Sequence, residues 1–210
     1  MNTLNRIYQQ KFIAIIRGYN PENAVLIAKA LSEGGVKVFE IAMNSPNALT
    51  SIEKIKDELG NEVSVGAGTV LDPETARSAI LAGSNFILSP SLNIETIKVA
   101  KRYGVISIPG AFTPTEILTA FEEGGDIIKV FPASKLGPDY VKELLSPLPQ
   151  LKLLPTGGIN LDNMKNYLQK GAVGVGIGSS LVHQTENVTE DFLKTIKEKA
   201  EKFVECVEEI

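Results

Sequence analysis

The feature that most constrains this 210-residue chain is a recurrence of short apolar runs roughly 20–27 residues apart along nearly its whole length. Eight of them occupy residues 12–16, 36–42, 63–65, 86–88, 105–108, 127–131, 151–154 and 173–177. Each is brief and bounded by turn residues, the pattern of strands buried on both faces of a parallel sheet. Helical segments lie between them. Ala24, Ile27, Ala28 and Leu31 repeat at the spacing that places them on one helix face. Pro21, Pro73, Pro114 and Pro138 each stand where a first helical residue belongs. Thr113 and Glu116 have the spacing of a capping box, and Asn160 is placed to cap a segment starting at Leu161. Gly34-Gly35, Gly83, Gly104, Gly124-Gly125 and Gly171 close the helical segments just before the next apolar run.

Strict alternation of strand and helix implies a parallel sheet. Eight repeats imply that the sheet closes into a (β/α)8 TIM barrel, with an open doubly wound sheet as the alternative. No composition shift marks a boundary, so residues 1–210 read as one α/β barrel domain, ending in a charged amphipathic helix over 186–210.

Composition narrows the function. With 43% hydrophobic and 22% charged residues the chain is ordinary for a globular protein, which argues against disorder. A single cysteine, Cys206, excludes an internal disulfide, and a single histidine, His183, makes a histidine-rich metal site improbable. His183 reads as a surface helix residue and Cys206 as a packed or partly exposed one. The formal net charge is −4 with no long run of one sign, so nucleic acid is not an expected partner. The longest apolar stretches are far short of the roughly 20 residues that span a bilayer. The polar N-terminus lacks the apolar core of a signal peptide, and the expectation is a soluble cytoplasmic protein.

Active sites of such barrels lie at the C-terminal ends of the strands. Lys129 stands there inside the apolar sequence Ile127-Ile128-Lys129-Val130-Phe131, sharing a face with Ile127 and Phe131. A lysine amine with its ordinary pKa of about 10.4 is almost wholly protonated at pH 7, and lowering it by about three units makes it a usable nucleophile. A structural ion pair is the competing account. Glu40, at the end of the second run, is either a general acid/base or the partner of a nearby cation. Arg17 closes the first run, where its fork suits a carboxylate or a phosphate. Glycine-rich segments follow runs three, seven and eight: Gly66-Ala67-Gly68-Thr69, Pro155-Thr156-Gly157-Gly158 and Gly176-Ile177-Gly178-Ser179-Ser180. The last two fall where barrels hold phosphate on bare backbone N–H groups. There is no HExxH motif and no cysteine pair, so the sequence offers no metal motif.

Taken in order, Phe39-Glu40-Ile41, Gly66–Thr69, the stretch Ile-Lys-Val-Phe-Pro-Ala at 128–133, Pro155–Gly158 and Gly178-Ser179 resemble the 2-keto-3-deoxy-6-phosphogluconate aldolases, a group that includes the 4-hydroxy-2-oxoglutarate aldolases. The resemblance runs from about Ile7 to Val182. It implies a class I aldolase without metal or organic cofactor, commonly a homotrimer. Lys129 then corresponds to the Schiff-base lysine and Glu40 to the acid/base. Arg17, Thr69 and Thr156 match the keto-acid end of the site. Gly157, Gly158, Gly178 and Ser179 match the phosphate loops, and Pro90 and Pro109-Gly110 match loops around the pocket. One position departs: members with the fullest phosphogluconate pattern often carry arginine where this chain has Asn44. An uncharged residue there leaves room for other 2-keto acids. Two further readings stay open at this point. One is an imine-free sugar-phosphate isomerase or epimerase using Glu40 as base, and the other is a catalytically silent barrel.

Overall fold

The computed structural model describes residues 2–209. Its strands are β1 (Phe12–Ile16), β2 (Val38–Ala42), β3 (Ser64–Gly68), β4 (Phe86–Leu88), β5 (Ile106–Ile108), β6 (Gly110–Ala111), β7 (Ile128–Val130), β8 (Leu153–Pro155) and β9 (Val175–Ile177). The helices are α1 (Thr3–Gln10), α2 (Pro21–Glu33), α3 (Ala48–Leu59), α4 (Pro73–Leu81), α5 (Ile94–Arg102), α6 (Pro114–Glu122), α7 (Pro138–Leu145), α8 (Leu161–Gln169) and α9 (Glu190–Glu208). All strand pairs are parallel. One ladder runs β5-β4-β3-β2-β1-β9 and the other β6-β7-β8.

Two junctions join the ladders into a ring. Thr156 bridges to Gly176 between the β8 and β9 segments. Pro109 separates β5 from β6, and its carbonyl accepts the Lys129 N–H at 2.9 Å. Proline brings no N–H to a ladder, so the fifth strand is split at that residue. The result is an eight-strand barrel counted as nine segments, in agreement with the eight apolar runs.

The helix starts follow their chemistry. Asn20, Asp72 and Asn160 accept backbone N–H bonds at the starts of α2, α4 and α8, and Thr113 with Glu116 forms a complete capping box at α6. One helix was not anticipated, and two expectations need correction. Residues 3–10 form α1, which the sparse apolar pattern of that segment did not reveal. The last helix starts at Glu190, because Thr189 supplies the cap. His183 is exposed, but it lies in the loop before α9, edge-on to Phe192, rather than in a helix. Cys206 is half-buried within α9.

Side-chain alternation divides the core in two. Phe39, Ile41, Val65, Ile87, Ile128 and Val130 belong to the shell between sheet and helices. Ile13, Val38, Phe86, Leu88, Ile108, Ile127 and Leu154 form a separate cluster inside the barrel, joined by Ile7 of α1. Leu4 and Tyr8 of α1 pack on the same cluster, so α1 plugs one end of the barrel. The interior is filled rather than hollow. Gly66 is part of the fit, since a Cβ there would strike the ring of Phe86. No helix among the described residues is long and apolar enough to cross a membrane.

Candidate active site

At the C-terminal ends of the strands the filling stops, and a cavity of about 430 Å³ opens. Nine of the residues singled out from sequence line it: Arg17, Thr69, Pro90, Lys129, Thr156, Gly157, Gly158, Gly178 and Ser179. Glu40 is not in the lining but lies behind it, wholly buried. Pro109 and Gly110 do not line the cavity. Gly110 instead lets the chain pass tightly against the backbone of Pro90.

Strand alternation aims the two central groups inward. On β2, Phe39 and Ile41 pack outward, which leaves Glu40 on the inner face above Val38. On β7, Ile128 and Val130 pack outward, and Lys129 follows Ile127 on the inner face. Lys129 is 4% exposed and its Nζ lies 4.9 Å from the centre of the Phe131 ring. Neither carboxylate oxygen of Glu40 has a hydrogen-bond partner among the described residues. Gly68 of β3 makes room for that carboxylate, because a Cβ at 68 would overlap it.

A buried carboxyl without partners is disfavoured as an anion. Burial pushes the Glu40 carboxyl above the usual carboxylate range, and the positive charges of Lys129 and Arg17 pull it only partway back. Burial likewise draws the Lys129 amine below its ordinary value, Arg17 lowers it further, and Glu40 opposes the change. Both groups are thereby moved toward the uncharged forms needed for nucleophilic attack and proton donation. Their shifts come from position inside a barrel rather than from a contact ion pair, the competing account for each residue.

The rest of the lining suits an anion. Arg17 and Lys129 bring positive charge, and no Asp or Glu lines the cavity. Arg17 donates through Nη1 to Asn44 at 2.6 Å and through Nη2 to Thr69 at 3.0 Å. Thr69 holds a left-handed φ of 59°, unusual for a β-branched residue and a mark of a constrained site. Across the cavity, Gly157 and Gly158 have φ of +98° and +75°. The backbone N–H groups of Gly158, Ser179 and Ser180, outside the strands, donate to no backbone acceptor among the described residues. Three such N–H groups after β8 and β9 form a polar cradle. Among the described residues no cluster of three or more His, Cys, Asp and Glu side chains could hold a metal. The cavity also includes Ser180, from the last glycine-rich segment, and Ile15, Phe131, Ile159 and Asn160, which sequence reasoning did not select as site residues. Phe131 was available from alternation, since it shares the inner face with Lys129.

An eight-strand parallel barrel with a buried lysine and carboxyl at its mouth defines an α/β-barrel enzyme scaffold. The family model for KDPG and KHG aldolase matches residues 4–198, and the chain belongs to that family. It is 37% identical over 177 residues to the 2-dehydro-3-deoxy-6-phosphogalactonate aldolase of Escherichia coli (strain K12), covering 84% of this chain and 86% of that one. Its fold superposes with a TM-score of 0.88 on a structure described as native KDPGal, at 34% identity and 94% coverage of each chain. It also matches the KDPG aldolase of Legionella pneumophila with pyruvate captured at low pH as a covalent carbinolamine intermediate. That match has a TM-score of 0.85 at 29% identity, covering 93% of this chain and 95% of that one.

Proposed function

We propose that this chain is a class I aldolase that cleaves 2-keto-3-deoxy-6-phosphogluconate to pyruvate and glyceraldehyde 3-phosphate through an imine on Lys129. The observation that carries the reading is the buried Lys129 amine, lowered toward neutrality, in a barrel that also buries the unpartnered Glu40 carboxyl. Neutral Lys129 attacks the C2 carbonyl and forms a carbinolamine. Glu40 gives a proton to the departing hydroxyl, water leaves, and the protonated imine becomes an electron sink. Glu40, now a carboxylate, takes the C4 hydroxyl proton through a water as the C3–C4 bond breaks. The aldehyde departs, leaving the bonding electrons in an enamine. Protonation at C3 and hydrolysis of the imine release pyruvate and restore the amine.

Arg17, Thr69 and Thr156 hold the keto-acid end, Pro90 shapes the wall, and the segments carrying Gly157, Gly158, Gly178 and Ser179 line the phosphate end. 4-Hydroxy-2-oxoglutarate, giving pyruvate and glyoxylate, is a second substrate that needs no phosphate cradle. The Escherichia coli relative is named for 2-dehydro-3-deoxy-6-phosphogalactonate, so that acid belongs in any assay beside the phosphogluconate. An isomerase or a silent barrel has no use for a buried lysine and is not favoured. In this reading residues 1–210 work as one barrel domain in the cytoplasm, assembled as a homotrimer with no cofactor. Support for self-association comes from Leu71, Leu81, Tyr103, Phe112 and Phe121, large side chains left exposed within one sector of the barrel.

The test is intact mass after pyruvate and sodium borohydride, followed by peptide mapping. A pyruvate-sized adduct on Lys129, absent from Lys129→Ala, is the expected result. A folded wild-type protein that gains no mass, or a Lys129→Ala variant with full turnover, would overturn the reading.

A further inference from the structure

The guanidinium of Arg17 is unusual in how it is held. Among the described residues no carboxylate pairs with it, although lysines elsewhere on the surface meet acids at 2.6–3.5 Å. Its two fixed nitrogens donate instead to neutral oxygens, Asn44 Oδ1 and Thr69 Oγ1. An acid in either place would hold the fork as firmly and cancel its charge. Arginine carries five N–H donors, so the remaining ones are free to face the cavity that Arg17 lines. Asn44 itself is exposed on the connection between β2 and α3 and is not part of the lining.

We propose that Asn44 is a positioning residue: together with Thr69 it aims the Arg17 fork, with its charge uncompensated, at the carboxylate of the bound keto acid. The proposal rests on the aldolase reading for the identity of that acid. Asn44 then acts on the pyruvate half of the substrate and not on the phosphate. Its loss therefore weakens pyruvate and the full phosphorylated substrate by the same factor. The charge at position 44 matters as well as its hydrogen bond, because Asn44→Asp keeps an acceptor in place but neutralises Arg17.

The experiment measures half-saturation by pyruvate in borohydride trapping, and KM and kcat with 2-keto-3-deoxy-6-phosphogluconate, for wild type, Asn44→Ala and Asn44→Asp. Asn44→Ala is expected to raise pyruvate half-saturation and KM together by about three- to tenfold, with kcat within about twofold, as for a mispositioned charged hydrogen bond. Asn44→Asp is expected to raise both by more than Asn44→Ala does, about tenfold or more, since the ion pair competes with the substrate carboxylate. Unchanged constants in Asn44→Ala, rescue by Asn44→Asp, or a penalty confined to the phosphorylated substrate would each overturn it. Pyruvate titration calorimetry in a Lys129→Ala background reads the carboxylate pocket where no imine forms. If the wild type forms no adduct, the imine reading fails, and that calorimetry still decides whether Asn44 and Arg17 act as proposed.

Discussion

Lys129 and Glu40 derive their chemistry from what surrounds them, and both were legible in the sequence for one reason. A charged residue within an apolar run must either reach solvent at a strand end or sit inside with a task. The structure puts both inside. The pH dependence follows from the direction of the shifts. Attack needs neutral Lys129, so kcat/KM should rise with pH through the lowered lysine value, below the ordinary pKa of about 10.4. Ionised Glu40 holds the lysine up, so Glu40→Gln should move that rise to lower pH while cutting kcat by about 10²–10⁴-fold, the usual span for acid/base help. A pH–rate series on both proteins checks this. A rise that stays in place in Glu40→Gln would mean that the two groups do not interact. Arg17 could be read from sequence as an anion fork, but its tether to Asn44 could not, because residues 17 and 44 meet only when two adjacent loops fold over the same rim.

Among the elements, the strands and most helices announced themselves through apolar runs, prolines and caps. The split of the fifth strand was less visible. It depends on Pro109 falling where the ladder changes partner, from β4 on one side to β7 on the other. Helix α1 was illegible because its stability comes from docking on the barrel's inner cluster rather than from its own sequence. Conversely, Gly66 and Gly68 look like loop glycines in the sequence but lie within β3. Their task there is to yield space to Phe86 and Glu40. Gly66→Ala should therefore cost about 1–3 kcal/mol through overpacking against Phe86, read as a lowered urea midpoint with an unchanged m-value. A midpoint equal to that of wild type would show that the ring moves aside freely.

For the whole molecule, five of the seven large apolar side chains left exposed among the described residues fall in adjacent units, the other two being Leu26 on α2 and Phe131 at the cavity. Leu71 and Leu81 belong to the third strand–helix unit, Tyr103 to the fourth, and Phe112 and Phe121 to the fifth. That sector should be covered in the assembled protein. Light scattering is expected to give three times the chain mass for wild type. A combined Leu71→Asp and Phe112→Asp protein should keep its circular dichroism and move toward the single-chain mass. A wild-type mass of one chain would remove the homotrimer.

Among the described residues, α1 and the inner cluster close the end of the barrel opposite the cavity. Everything the enzyme handles enters and departs through the glycine-lined rim, while the covalently held fragment is anchored behind it. Cleavage of the C3–C4 bond frees the aldehyde while the keto acid is still bonded to Lys129, so the aldehyde goes first. Pyruvate goes last, which makes pyruvate the product that contends with incoming substrate for the empty enzyme. Run in the synthetic direction, the same chemistry requires the keto acid to be loaded before the aldehyde. A flooded aldehyde supply would then obstruct the enzyme by standing at the rim ahead of the cargo that has to pass it.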